Sequence, residues 1–168
     1  MRIKYEAILW YNFFLKNIPG QLGCYLRKWL LPFKNGRKVM IWEHCQIDSP
    51  KKLELGSNVS INRGCIINAA GGVRIGNDTL LGPGVIIYSQ NHRFDSEDIP
   101  IRKQGYVLKN VEIGNNVWIA ARATILPGVK IGDNCVVGSS TLVAKDIPPN
   151  TLVVGNPGKV VRKIYAKD

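Results

Sequence analysis

Residues 111–143 read VEIGNNVWIAARATILPGVKIGDNCVVGSSTLV, and the spacing of their aliphatic side chains decides the fold. Ile113, Ile119, Ile125, Ile131, Val137 and Val143 fall six apart, and two residues before each stands Val111, Val117, Ala123, Val129, Cys135 or Thr141. On an α-helix, six residues turn through roughly 600°, so these positions would scatter over different faces. On a strand the side-chain period is two, so positions six apart share a face. Gly, Asn or Asp usually follows, as in IGNN and IGDN, and supplies the positive φ angles of a corner. Short strand, corner, short strand is the grammar of an all-β solenoid, in which each coil buries its inner face only by stacking on the next.

The beat extends toward the amino terminus. Leu55, Ile61 and Ile67, then Ile75, Leu81 and Ile87, keep the period, preceded by Leu53, Val59, Cys65, Val73, Thr79 and Val85. Val39/Ile41 and Cys45/Ile47 carry it back further. Gly71-Gly72 inserts two residues, a corner adjustment. A larger break runs from Asn91 to Asn110, NHRFDSEDIPIRKQGYVLKN, and a long excursion from a rigid coil is where function tends to sit. The expected organisation is a helical segment at 1–38, a β-helix at 39–158 interrupted by the loop 91–110, and a basic tail at 159–168.

Composition narrows the function. Apolar content of 45% and charged content of 21% describe a folded chain. The net charge of +11 sits at the ends: residues 1–38 carry +7 and residues 159–168 carry +3, which leaves the centre near neutral. A nucleic-acid partner is therefore not expected. The four cysteines form no CxxC pair and the chain has two histidines, so no metal is expected. Cys45, Cys65 and Cys135 fall at inward positions, where a thiol packs as a small hydrophobe. The first residues lack a cleavable signal pattern and fall short of a membrane span, so a cytoplasmic location is expected.

The segments NHRFD at 91–95, QGY at 104–106, IGNNVWIAARATILPGVKIG at 113–132 and KDIPPNTLVVGNPGKVVRKI at 145–164 resemble the hexapeptide-repeat acyltransferases. The likeness is to the sugar and glycan O-acetyltransferase branch, over about residues 39–165. That resemblance implies a left-handed parallel β-helix with an N-terminal α-helical segment and an extended active-site loop. It further implies three-cornered coils that step by about eighteen residues, a homotrimer with active sites between neighbours, and acetyl-coenzyme A as co-substrate.

Moving acetyl from a thioester to a hydroxyl needs a base, an oxyanion donor and a path for the pantetheine arm. Imidazole, with an ordinary pKa of about 6.5, suits the base. His92, in the loop beside Asn91 and Asp95, matches the family's catalytic histidine. Its rival His44 lies outside the family motif. For the oxyanion, the resemblance points to the main-chain N–H of Ala121; many members carry Gly-Ser or Gly-Ala where Ala120-Ala121 stands. Trp118 reads either as packing on the His92 loop or as a coil-surface aromatic. Asp95 and Gln104 either orient the imidazole or contact the acceptor, or else bond within the loop. Residue-wise match places coenzyme A at Ala121, Ser139, Ala144, Lys145, Lys159 and Arg162, and the acceptor near Asn62, Asn91, Gln104 and Trp118. Ser139, Ala144 and Lys159 depart from the family's usual Ala, Thr and Arg.

The expected reaction is direct acetyl transfer to a sugar or glycan hydroxyl, such as that of a cell-surface polysaccharide precursor. The alternatives are N-acetylation of an amino sugar, O-acetylation of a xenobiotic, or a non-enzymatic scaffold. The last would show flat arrays of identical outward residues, which this chain lacks. In residues 1–38, Ile3, Ala7, Trp10 and Phe14, with Ile8, Tyr11, Leu15 and Ile18, read as a helix ended by Pro19-Gly20. A second helix from about Leu22 to Leu31 brings Leu22, Leu26, Trp29 and Leu30 together. Arg2, Lys4, Lys16, Arg27, Lys28, Lys34, Arg37 and Lys38 surround them. The segment reads as a cap on the first coil or as a peripheral contact with the inner face of a membrane.

Overall fold

A computed structural model describes residues 2–165. Met1, residues 166–168 and the side chains of residues 2–5 and Ile8 lie outside the described residues, so the roles expected for Arg2, Ile3, Lys4 and Ile8 are not placed.

The six-residue beat becomes a parallel β-solenoid of about six coils, with three sheets as its faces. Face A stacks Lys34–Asn35, Leu53–Leu55, Val73–Ile75, Val111–Ile113 and Lys130–Ile131, and Ile147 adds a last bridge. Face B stacks Met40–Ile41, Ser60–Ile61, Leu80–Leu81, Trp118–Ile119, Val136–Val137 and Thr151–Val154, on which Lys159–Lys163 folds back antiparallel. Face C stacks Gln46–Asp48, Ile66–Asn68, Ile86–Tyr88, Thr124–Ile125 and Leu142–Val143. The inward ladder is the one read from the sequence: Ile113, Ile119, Ile125, Ile131, Val137 and Val143 are all buried, with Val117, Ala123 and Cys135 among them.

The corner residues explain the Asn/Asp punctuation. At the A-to-B corner the Ser57 N–H donates to Asn77 Oδ1 (2.8 Å), the Asn77 N–H to Asn115 Oδ1 (2.9 Å) and the Asn115 N–H to Asp133 Oδ1 (2.6 Å). Each coil's side chain thus satisfies the free backbone donor of the coil before it. The next residue in each corner, Asn58, Asp78, Asn116 or Asn134, holds a φ of 52° to 59°, the left-handed conformation these residue types tolerate.

The expected step of eighteen residues needs correction. Trp118 pairs with Val136, eighteen on, but Met40 pairs with Ser60 and Ser60 with Leu80, steps of twenty. Leu80 pairs with Trp118 across thirty-eight, a span that includes the long excursion. The extra residues of the early coils lie at the C-to-A corner, in the 3-10 turn Pro50–Lys52 and the turn at 69–72. The stacked strands on either side of that corner keep their register.

Two helices precede the coils, α1 over Arg2–Asn17 and α2 over Gly20–Leu30. α2 buries Gly23, Cys24 and Arg27, and the Arg27 guanidinium joins three elements. Its Nε donates to Ile41 O (2.7 Å), a strand-edge carbonyl of the first coil, and its Nη1 to Leu15 O and Ile18 O (2.8 Å each) at the end of α1. His44, at φ 62°, completes the joint: its N–H donates to Lys16 O (2.7 Å) and its ring Nδ1 lies 3.0 Å from Asn17 Oδ1.

The outer faces differ. Face A carries an alternating charge ladder, Lys34–Glu54–Arg74 and Glu112–Lys130. The outward row of face B is Met40, Ser60, Leu80, Trp118, Val136 and Leu152; that of face C includes Ile66, Ile86, Thr124 and Leu142. One side of the prism is built for water and two are largely apolar.

Candidate active site

The long excursion is an antiparallel ribbon, Gln90–His92 against Tyr106–Leu108, projecting from the C-to-A corner, with a 3-10 turn at Ile101–Lys103 near its tip. His92 pairs with Tyr106, and their rings lie 4.6 Å apart at 43°. The Asn91 side chain accepts the His92 main-chain N–H (3.0 Å), which fixes the backbone leading into the imidazole. Among the described residues no hydrogen bond takes up the His92 ring nitrogens. The ring opens onto a cleft of about 270 Å³ lined by Asn68, Tyr88, Gln90, Asn91, Tyr106 and the coil residues Leu126 and Pro127.

The other loop residues point elsewhere. Asp95 faces Arg93, Oδ2 to Nη1 3.5 Å, both exposed. Gln104 accepts the Ser96 N–H (3.1 Å) and donates to Ser96 O (2.9 Å) and Ile99 O (2.6 Å), closing the loop on itself. Of the two readings open for these residues, their contacts here are the loop-internal ones.

A second group collects at the B-to-C corner. Asn62, Gly82, Ala120 and Gly138 form one column, since their N–H groups donate in turn to Leu81 O, Ile119 O, Val137 O and Val153 O. The next column is Arg63, Pro83, Ala121 and Ser139. Its members treat the main-chain donor differently. The Arg63 N–H is taken by Asn62 Oδ1 (2.8 Å), Pro83 has none, and the Ala121 N–H donates to nothing among the described residues. The Ala121 N–H shares its peptide plane with Ala120 O, which accepts from the Ala123 N–H (3.4 Å), and the following peptide is held by Ser140, whose N–H donates to Ala121 O (2.9 Å). Lys159 pairs with Val154 beside the same corner, and Gly158 N–H donates to Leu142 O (2.8 Å). Arg162 pairs with Leu152 and its Nη1 donates to Lys163 O (3.2 Å). Ala144 and Lys145 instead lie exposed at the C-to-A corner, one coil beyond Leu126, whose N–H donates to Val143 O (3.0 Å).

Trp118 lies on face B between Leu80 and Val136, 52% exposed, and is not part of the His92 cleft. Within one chain the candidate residues thus fall on two edges of the prism, separated by the width of face C.

The cleft residues Asn68, Tyr88 and Tyr106 escaped the sequence reading. Tyr106 stood in the QGY segment, and Tyr88 ends a strand at an outward position; nothing in the spacing pointed either at His92. Near Asn62, Arg63 lies over the Trp42 ring (4.9 Å) and pairs with the buried Glu43 carboxylate. The Arg63 hydrogen bond holds that carboxyl below its usual range. All four cysteines are buried, and hydrogen bonding to Cys45, together with burial, pushes the Cys65 thiol up. A thiol held up in this way, as Cys65 is, is a poor nucleophile.

Residues 110–145, the coils that hold Ala121 and Ser139, match the family model for the bacterial transferase hexapeptide, six repeats. The maltose O-acetyltransferase structure from Clostridium difficile 630 superposes with a TM-score of 0.84 at 30% identity, covering 96% of this chain and 86% of that one. The chain belongs to the hexapeptide-repeat acyltransferase family. Its likeness is to the sugar O-acetyltransferase branch: the galactoside O-acetyltransferase of Escherichia coli K12 is 36% identical over 135 residues, 76% of this chain and 65% of that protein. The chain spans less than two thirds of the curated relatives it matches first, 65%, 61% and 59% of their lengths. A hexapeptide-repeat acetyltransferase from Vibrio cholerae, solved with acetyl-coenzyme A, shares the fold at a TM-score of 0.81 and 25% identity, over 90% of this chain and 82% of that one.

Proposed function

We propose that this hexapeptide-repeat protein is an acetyl-coenzyme A-dependent O-acetyltransferase acting on a hydroxyl of a sugar or glycan. The acetyl group passes directly. His92 takes the proton of the acceptor hydroxyl as its oxygen attacks the thioester carbonyl. The Ala121 N–H holds the oxyanion. Collapse of the tetrahedral intermediate breaks the C–S bond, and the imidazolium returns its proton to the leaving thiolate. The observation that carries this reading is that, among the described residues, the chain presents an uncommitted imidazole on a hydrogen-bonded ribbon at one edge and an uncommitted main-chain donor at a coil corner on another.

Those two groups cannot meet within one chain. Ala121 sits in the turn that opens face C and Leu126 follows the strand Thr124–Ile125 that closes it, so the extended part alone, residues 123–126, holds them roughly 10 Å apart at strand rise, against a working reach of about 3 Å. The site is therefore read as shared between copies, in a homotrimer. The His92 ribbon of one chain reaches the Asn62, Ala121 and Ser139 edge of the next, and the apolar outer faces B and C supply the contact. Coenzyme A then lies between the Ala121, Ser139 and Lys159 edge of one chain and the Ala144 and Lys145 edge of its neighbour. Arg162 lies along the antiparallel strand beyond Lys159. Asn91 stays with His92 as its support, and Asp95 and Gln104 shape the loop that faces the acceptor.

Thiol release from acetyl-coenzyme A, measured against galactosides, maltose, amino sugars and lipid-linked glycans, identifies the acceptor. Mild alkali removes an O-acetyl ester and spares an amide, which separates the two product classes. The variant His92→Ala should lose about two to four orders of magnitude in turnover while melting and sedimenting as wild type. Near wild-type turnover removes His92 from the mechanism.

A further inference from the structure

The capping contacts use only the inner side of α2. Ladder hydrogen bonds in a β-solenoid run along its axis, so a guanidinium bonded to the Ile41 edge carbonyl lies over the end of the first coil. The opposite side of α2 looks outward along that axis. There Leu22, Tyr25 and Trp29, at i, i+3 and i+7, are 67%, 68% and 72% exposed. α1 packs against α2, with Tyr11 Oη donating to Leu30 O (3.1 Å), and carries its own exposed pair, Trp10 and Phe14, whose rings stack 6.0 Å apart; Trp10 also lines a cleft with Gln46, Ile47 and Asp48 of the first coil. Adjoining exposed apolar side chains on this scale mark a contact surface.

Charge selects the occupant. Arg37 and Lys38 are exposed at the first corner of the solenoid, Lys16 and Lys28 are half-buried on the helices, and Glu6 is the single acid of residues 1–38. Stacking a second copy end to end would bring the Lys16, Lys28, Arg37 and Lys38 cations of two such ends together. An anionic lipid surface offsets the charge and accepts the aromatic side chains at the depth of its headgroups. The eleven residues of α2 span about 16 Å, half of a hydrocarbon core of about 30 Å. Among the described residues no helix is long and apolar enough to cross a membrane. The geometry is that of a helix lying in the interface.

We propose that the amino-terminal end of the solenoid docks on an anionic lipid bilayer. Leu22, Tyr25 and Trp29, with neighbouring aromatics of α1, enter the headgroup boundary, and Arg37, Lys38 and Lys28 meet lipid phosphates. The surface lies at the end of the prism, apart from both edges of the candidate active site, so the proposal stands independently of the acetyl-transfer reading.

Flotation of the full chain with vesicles of phosphatidylcholine, with and without phosphatidylglycerol, tests it. Binding is expected to the mixed vesicles and to fall in high salt. The pair Arg37→Gln and Lys38→Asn should weaken it about thirtyfold, Asn being chosen because residue 38 holds a φ of 53°. The pair Tyr25→Ser and Trp29→Ser should abolish flotation and leave sedimentation unchanged. Should that second pair fail to fold by circular dichroism, tryptophan quenching of the wild type by bromine-labelled phosphatidylglycerol reads insertion directly. No flotation, flotation indifferent to lipid charge, or no quenching overturns the proposal. So does a drop in mass of the aromatic variant, which would assign the face to contact between copies.

Discussion

Gly82→Ala tests the assignment of the oxyanion donor without touching a catalytic side chain. Gly82 sits one coil below Ala120 at the B-to-C corner, its N–H donating to Ile119 O (2.7 Å). A Cβ built there falls 2.7 Å from the Ala121 nitrogen and 3.0 Å from the Ala120 carbonyl carbon. Both are backbone atoms of a coil held by ladder bonds on each side, so neither yields cheaply. The methyl either displaces the Ala121 peptide or crowds the approach to its free N–H, at the distance where an oxyanion would stand (about 2.7–3.1 Å). Losing one such donor costs about 10²–10³ in turnover. Overpacking costs about 1–3 kcal/mol of stability, and each kcal/mol lowers Tm by about 2–4 °C in a chain of this size. The control is Gly64→Ala, at the same corner one coil earlier. Gly64 has a φ of 68° and open space around its Cβ, so backbone strain is its only cost, about 1–2 kcal/mol. Both variants should melt lower, and only Gly82→Ala should lose turnover while still binding coenzyme A by calorimetry. A Gly82→Ala protein that melts low yet turns over at the Gly64→Ala rate would remove the Ala121 N–H from the mechanism.

Two further predictions follow from the coils. Ile119 is fully buried at the centre of the stack, and Ile119→Ala should cost about 2–5 kcal/mol in denaturant unfolding; a loss under about 1 kcal/mol would mean that the core relaxes around the cavity. The Arg63 contact lowers the folded-state pKa of Glu43, so its stabilisation is present above the ordinary carboxylate pKa (about 4.3) and is lost as pH falls through the lower folded value. The melting temperatures of wild type and Glu43→Gln should therefore differ at neutral pH and converge in acid. A gap that stays constant into acid would show that the pair contributes nothing through titration.

The six-residue beat alone determined the solenoid, because period-two strands and left-handed Asn and Gly corners leave no other way to bury one side chain in every pair. It also placed the interruption that carries His92, since a loop of that length has no role in stacking. The Gly71-Gly72 insertion was visible in the sequence, but that it and the turn at Pro50–Lys52 fall at one corner and set a step of twenty was not. Two extra residues at an outward corner leave the inward pattern untouched, so twenty looks like eighteen with a stutter. Nor could the sequence tell which half of α2 packs: Leu22, Trp29 and Cys24 are all apolar, and only the reach of Arg27 to Ile41 turned the Gly23–Cys24–Arg27 side inward. The sorting of candidate residues onto two edges was likewise invisible in one dimension, because it depends on which corner follows which face. Local periodicity fixes what a residue's neighbours along the strand must be; a contact between coils depends on how many residues each corner holds, and only the folded chain sets that.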